Sequence, residues 1–559
     1  MNVKKLLVCI SLFIAGSNLC LAQQRAIERI HISTDRTFYV AGESIWLSLY
    51  CFDISGREPH FSILSSVAYL ELRHEATLLA SAKLRIHSGR GSGRLQIPPT
   101  LPTGNYRLIA YTKQMLNEDT LRYFDKVVPI YNTLTTERAT QNFLIVDEQM
   151  VDEWNDSLTN DSKFVDVQLG VDENSVPKSF VLPVSIKNMS TQAITINVSV
   201  TGSQFPTRYY QALEDIFAYS SDKITFNERY IPEYEGEIIC GVVKNIKAIQ
   251  PKTGDLFLSA VGTGVEVYAT SIDTLTGFFS FFTHSLYGNR EIALEYPAAL
   301  EASFELIDPF VKPPVKPAPP FYMDKKMETT LEQRSMEMQV SYRFGIDTLN
   351  ERIATPIDPF LYSNKPVVYV LDHYTRLPTM QDIMTEFISQ MRFRQNNLEI
   401  AFLDAASRWV FLDNPLIVID GITVFNHERL LRYDPLKVKT VSVYQNNYLI
   451  GNKIFNGIAQ FNTYSGSFSG LTLGKNALIL DFQGVQYPCR FTGITSVLSE
   501  NLPDVRTLLY WDPQVDIQSG ENHEMILRTS LVEGRYAIIL EGVTADGQSI
   551  FYRKEFTVQ

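Results

Sequence analysis

Short runs in which apolar and polar residues alternate, each closed by Gly, Pro, Asn or Asp, recur from Ile27 almost to the last residue. A period of two puts every second side chain on one face, so these runs predict half-buried antiparallel strands and a mainly β chain. Residues 194–200 (ITINVSV) and 438–444 (VKTVSVY) show the pattern cleanly. At 559 residues the chain is several domains long. Its 62 acidic and 50 basic residues give a formal charge of −12, which leaves no protein-wide positive field for nucleic acid or an anionic membrane surface.

The first residues set the compartment. Lys4 and Lys5 precede an apolar run from Leu6 to Ala15, and Cys20-Leu21-Ala22 places small residues before Gln23. This reads as a secretory signal peptide, residues 1–22, because the run is too short to span a bilayer as a helix. A second reading makes Cys20 the acylated residue of a lipoprotein, although Leu19 is not the small residue wanted before it. Cleavage after Ala22 leaves 48 basic against 62 acidic residues, or −14, and no later run is apolar enough to form a spanning helix. Of five cysteines, Cys9 and Cys20 leave with the signal. Cys51, Cys240 and Cys489 remain, an odd number in strand-like runs, and are expected to be buried free thiols.

Residues 27–132 read as a first β-sandwich. Within it Thr34-Asp35-Arg36-Thr37-Phe38-Tyr39-Val40-Ala41-Gly42-Glu43 resembles the opening of the macroglobulin-type domain of alpha-2-macroglobulins. Pro102-Thr103-Gly104-Asn105-Tyr106 agrees with it, Gly104 offering positive φ after a turn. The resemblance rests on Asp35, Arg36, Tyr39, Gly42, Glu43, Gly104 and Tyr106 and covers about a hundred residues. It raises protease inhibition, but the Cys-Gly-Glu-Gln thioester motif of that family is absent, since the one Cys-Gly is Cys240-Gly241-Val242. Covalent trapping is thereby excluded, and only a non-covalent inhibitory role survives.

Residues 133–163 are polar and acidic and read as a linker, and 164–235 as a second sandwich with a short helix at 209–219. Residues 236–308 resemble the carboxypeptidase-regulatory-like sandwich, with a further macroglobulin-like repeat as the alternative. Residues 309–350 read as a Pro-rich spacer and a helix. Six of the twelve residues from Pro309 to Pro320 are proline, which enforces an extended conformation, and a ligand for proline-binding modules is the other reading. Met327, Leu331, Met338 and Tyr342 then share one helical face.

Residues 355–465 are expected to be an α+β domain. Residues 366–371 and 416–419 read as strands, 377–393 and 428–433 as helices, and 438–444 and 457–464 as further strands. Asp420-Gly421 closes a tight turn, and Asn456-Gly457 offers the left-handed positions of a hairpin. The order resembles the plug domain of TonB-dependent outer-membrane transporters, carried by Pro415, Asp420, Gly421, Asp434, Pro435, Gly451, Asn456 and Gly457. Only 94 residues follow Ser465, too few for the transmembrane barrel of that family, so the resemblance implies a plug-like module without its barrel.

Residues 466–559 read as a last sandwich, with strands at 477–482 and 486–491. Tyr510-Trp511-Asp512-Pro513, Gly534-Arg535-Tyr536 and the run from Leu540 to Gly547 resemble the closing domain of large Bacteroidota envelope proteins that open with the macroglobulin-type motif. A type IX secretion sorting tail is the competing reading. The fold class expected is therefore mainly β, with several Ig-like or macroglobulin-like sandwiches in series plus one α+β plug-like domain.

The sequence offers no catalytic, cofactor-binding or metal-ligating constellation. Its eight histidines are dispersed, and neither a phosphate-binding glycine loop nor a nucleophile elbow is present. Asp-Ser/Thr followed by Leu resembles the O-glycosylation site of Bacteroidota envelope proteins and marks Thr120, Ser157, Thr274 and Thr348. The function expected is that of a non-enzymatic scaffold, exported to the periplasm or the outer membrane. It would bind an outer-membrane protein or envelope assembly complex through its plug-like and sandwich domains. Accessory binding of glycan or peptide for uptake is the alternative.

Overall fold

The computed structural model describes residues 26–559 except 57, 120–121, 140–142, 146–162, 172–173, 203–224, 228, 249–253, 285, 324–326, 347–350, 353–364, 395–398, 408 and 492–502. The signal segment, the 209–219 helix, Thr120, Ser157 and Thr348 lie outside the described residues. The chain is mainly β and divides into two compact units, both discontinuous in sequence. One unit holds Met1–Tyr234, Lys312–Ile353 and Pro488–Gln559, and the other Glu235–Val311 and Ala354–Tyr487.

In the first unit, nine strands from Glu28–Thr34 to Phe124–Tyr131 form one continuous nine-stranded sheet where the first sandwich is expected. The Thr77–His87 strand turns its corner. It pairs along Val67–His74, then with Arg90–Gln96 through Ile86 and His87 alone. Ser44–Asp53 is buried on both faces. Ile45, Leu47 and Leu49 alternate with Trp46, Ser48, Tyr50 and Phe52, and the second set lies under another sandwich, where Ser48 Oγ donates to the Pro513 carbonyl at 3.0 Å. Gly104 has no positive φ, contrary to expectation. It opens the Gly104–Tyr111 strand opposite Ile130.

The second and last sandwiches expected at 164–235 and 466–559 are one sandwich. Val181–Asn188 lies between Val165–Leu169 and Asn522–Arg528, while Ile194–Gly202 lies between Leu508–Ile517 and Gly534–Thr544. Neither segment alone covers both faces of its strands. Together they enclose a core including Val184, Ile196, Val198, Leu509, Leu527, Ile538 and Leu540. Each such side chain stabilises by roughly 1.5–3 kcal/mol on burial, so packing overrides sequence distance.

The 309–320 stretch also departs from the spacer reading, because Pro313 is buried and the prolines from 313 onward lie on the first sandwich. The linker contributes Phe143–Ile145, which pairs in parallel with Phe321–Met323. The expected helix is Glu328–Arg343. It buries Leu331, Arg334 and Ser335, whereas Tyr342 of the expected stripe is exposed.

In the second unit, the sandwich at 236–308 borrows Ala477–Gln483, which pairs with Asn289–Glu295. The α+β domain is thus inserted before the last strand of that sandwich. Its sheet runs Val367–Val370, Val438–Ile450, Lys453–Thr463, Leu416–Ile419, Ile422–Thr423. The helix expected at 377–393 stops at Glu386, and Met391 opens a strand instead. His427–Leu431 is the second helix. Within this unit Phe257, Leu416, Val418, Tyr448, Ile450, Phe455 and Ile458 share one core, so sandwich and insert pack face to face. The strand expected at 486–491 reduces to Cys489–Arg490, in the first unit. Cys51 and Cys489 are buried free thiols, and Cys240, which forms no disulfide, is only partly buried.

Candidate functional site

The macroglobulin-type residues form a buried polar knot. Asp35 Oδ1 accepts from the Tyr39 hydroxyl at 2.7 Å and from the Trp46 amide at 3.0 Å, and Oδ2 accepts from Arg36 Nε at 2.8 Å. Burial raises the Asp35 carboxyl above the usual range against the pull of Arg36. Glu43 takes both Arg334 Nε and Nη2 at 2.9 Å and the Val40 amide at 2.8 Å. Burial opposes its charge, but Arg334 and Arg36 hold its carboxyl below the usual range. Gly42 sits at φ +99°, where a Cβ would meet Met338 Sδ at 2.9 Å. The motif therefore docks the Glu328–Arg343 helix. Arg334 escaped the sequence reading, although a basic residue three positions after Leu331 on an apolar helical face was its signal.

Tyr106 donates to the carbonyl of Pro102 at 2.6 Å, and Tyr536 repeats the arrangement with Val532 at 3.1 Å. Each lies in a Gly-x-Tyr run and ties a strand entry to the loop before it, the tyrosine-corner device of sandwiches.

The plug-like residues are spread through the insert. Asp420 and Gly421, at φ +44° and +85°, are the two-residue turn between paired Ile419 and Ile422. The buried Asp420 carboxylate accepts from the Thr463 amide and hydroxyl at 2.7 and 2.5 Å and from the Phe468 amide at 2.6 Å. Pro415 is buried just before the Leu416–Ile419 strand. Asp434 caps the 3₁₀ turn that opens at Pro435, accepting from the Leu436 amide at 2.9 Å. Asn456-Gly457 is not the hairpin turn. Ile450 pairs with Lys453, so Gly451 and Asn452 form the turn, and Gly457 at φ +104° lies opposite a register shift between Tyr444 and Asn447. A bulge demands the same glycine as a turn, which is why the dipeptide misled.

These buried motifs leave other surfaces for recognition. Across the 450–453 turn, Leu449 and Ile454 pair directly and are 62% and 58% exposed, and Trp409 in the same insert is 89% exposed. In the first unit a cleft of about 90 Å³ is lined by Arg36, Glu43, Trp46, Glu337, Phe491 and Arg506, among others. Arg506 is held by Asp504 through Nε and Nη2 at 2.6 and 2.7 Å, while its buried Nη1 has no hydrogen-bond partner. Thr274 is exposed beside Leu275, in a loop whose Asp273 carboxylate accepts from the amides of Leu275 and Thr276 at 2.8 and 3.1 Å.

A buried group of Ser33, His31 and Glu541 has the residue types of a hydrolytic triad but not its wiring. Both Ser33 Oγ and His31 Nε2 address the Glu541 carboxylate, at 2.5 and 2.7 Å, so the histidine cannot activate the serine through that contact. Among the described residues, no group of three His, Cys, Asp or Glu is placed to hold a metal ion. No helix among them is long and apolar enough to cross a membrane.

No family model and no curated protein matches the sequence. Among solved structures, the native conformation of Escherichia coli alpha-2-macroglobulin aligns over 96% of this chain and 40% of its own, at 9% identity and a TM-score of 0.22. Salmonella alpha-2-macroglobulin reacted with methylamine aligns over the same shares at 8% identity and a TM-score of 0.23. The E. coli adhesin FdeC aligns over 48% of this chain and 58% of its own, at 12% identity and 0.15. Scores this low define no common fold, and the chain spans about 40% of the length of these macroglobulins.

Proposed function

We propose that the protein is a non-enzymatic scaffold of the bacterial cell envelope, exported and held in the periplasm or against the outer membrane. Its first sandwich is of macroglobulin type, and its inserted α+β domain is plug-like and engages an outer-membrane protein or assembly complex. The observation that carries this reading is the apolar pair Leu449 and Ile454, presented with the nearly fully exposed Trp409 on the inserted domain. Large apolar side chains left in water at a hairpin tip mark a surface that gains from being covered. The test is a pull-down from crosslinked envelopes with the full chain and with a Trp409→Ser, Leu449→Ser, Ile454→Ser variant. The intact chain is expected to recover a membrane protein that the variant loses. Recovery of none, or equal recovery by both, contradicts the reading.

Accessory binding of a glycan or peptide is the second reading, favoured by the cleft of the first unit, whose lining combines Trp46 and Phe491 with Arg36, Glu43 and Arg506. Titration with glycan and peptide panels tests it. Binding lost on Trp46→Ala supports it, and no binding across the panels contradicts it.

A further inference from the structure

Residues 312–320 (KPPVKPAPP) lie across one face of the first sandwich and are held there by their main chain. The Pro313 carbonyl accepts from Arg73, and the Pro314 carbonyl from the Tyr123 hydroxyl. Arg107 Nη2 donates to Pro317 at 2.9 Å, and Asn105 Nδ2 donates to Pro319 and Pro320 at 3.1 and 3.0 Å. Arg73, Arg107 and Asn105 donate from strands of one sheet, and Tyr123 from the residue just before the Phe124–Tyr131 strand. Arg73 and Arg107 are directly opposed in register, and Asn105 lies two residues along the same strand.

The arrangement matches the chemistry of proline. A proline has a carbonyl and no amide proton, so the five prolines of the segment present acceptors only, while Val315, Lys316 and Ala318 keep their amides. The face presents donors. The residue before the prolines, Lys312, does have an amide proton, and there the face supplies an acceptor, Glu71 Oε1 at 3.1 Å. The bonded carbonyls are those of residues 313, 314, 317, 319 and 320, so the face takes a main-chain acceptor from each of the five prolines. Only Pro313 of the segment is buried, so the contact reads main-chain acceptors rather than a fitted side chain. Arg73 and Asn105 are themselves buried, at 3% and 0% exposure, and their donors would lose these partners if the segment left.

We propose that the face formed by Glu71, Arg73, Asn105, Arg107 and Tyr123 is a binding site for extended proline-rich segments. In this chain it is filled in cis by residues 312–320, and it takes a proline-rich segment of a partner in trans when that strap is displaced. The proposal does not depend on the scaffold reading above.

The test uses the full chain carrying Pro313→Ser, Pro314→Ser, Pro317→Ser, Pro319→Ser and Pro320→Ser, with a fluorescent peptide of residues 309–320 as probe. Fluorescence anisotropy is expected to give a dissociation constant at least tenfold lower for this variant than for the intact chain. Adding Arg107→Ala should weaken that binding at least tenfold. Absence of binding to the folded strap variant, or binding unchanged by Arg107→Ala, overturns the proposal. A variant with Arg107→Ala alone keeps every proline, removes the Pro317 contact together with the Arg107–Asp125 pair, and is checked for folding by its thermal melt, which guards against a strap variant that fails to fold. Hydrogen exchange at the Lys312 amide should then quicken at least tenfold, and unchanged exchange overturns the proposal as well.

Discussion

At Glu295 the fold holds a carboxyl where ionisation is disfavoured. Burial pushes its pKa up to about 7, against the pull of Arg429 at 3.7 Å and of the Thr423 hydroxyl at 3.5 Å. An unfolded glutamate ionises near the ordinary value of 4.5, so between there and about 7 the native state binds the extra proton. The stability this confers is complete below the lower value and is lost as pH rises through the upper one. Glu295→Gln removes the dependence and is expected to stabilise the protein at pH 8 by up to roughly 3 kcal/mol, with little change at pH 4. Thermal melts of both proteins at the two pH values check this, and parallel shifts at both would contradict it. Nothing local in the sequence marks Glu295, because its strand is covered by segments distant on both sides, pairing with Phe257 before it and Ala477 after it. The Gly-x-Tyr runs, by contrast, were legible. Tyr106→Phe should cost about 1 kcal/mol in denaturant titrations, the worth of one hydrogen bond lost without a cavity, and Tyr536→Phe about 1–2 kcal/mol, because its hydroxyl also meets the Ser530 hydroxyl at 3.2 Å.

Among the elements, the Glu328–Arg343 helix is seated by the Arg334–Glu43 ion pair together with the apolar contacts of Leu331 and Met338. Arg334→Met takes from the nearly buried Glu43 its bidentate partner and leaves it only Arg36 Nη1, at 3.1 Å, as a charged partner, and the expected cost is about 1.5–3 kcal/mol. Limited proteolysis should then cut within the helix first, and a melting temperature and cleavage pattern equal to those of the parent would refute this. Gly421→Ala should be similarly severe, on the order of 3 kcal/mol by denaturant titration, because the new Cβ would fall 2.0 Å from the Ala260 carbonyl at φ +85°. Turn chemistry made Asp420-Gly421 readable from the sequence. The same rule misplaced Asn456-Gly457, since positive φ serves bulges and turns alike and only the pairing register distinguishes them. The helix expected to reach Phe393 failed for a related reason. Met380, Ile383, Met384 and Phe387 do keep helical spacing, but Met391 continues the apolar pattern from a strand.

For the whole molecule, the mainly β class was legible because a period of two is local, whereas the partition into domains was not. Ile194–Gly202 pairs with strands more than 300 residues onward, and Ala477–Gln483 completes a sandwich whose other strands end near residue 306. Each such segment carries an ordinary amphipathic strand signal that is silent about its neighbour. Residues 164–235 expressed alone should therefore show no cooperative melt, whereas joining them through a short linker to 504–559 should restore one by circular dichroism. The central claim is that the inserted domain presents its apolar hairpin to an outer-membrane partner, and site-specific photocrosslinking tests it most directly. With a photoreactive residue in place of Leu449 or Ile454 in the full chain, illumination of intact cells should yield a discrete adduct containing an outer-membrane protein. No adduct from either position, or adducts with soluble proteins only, would contradict the account.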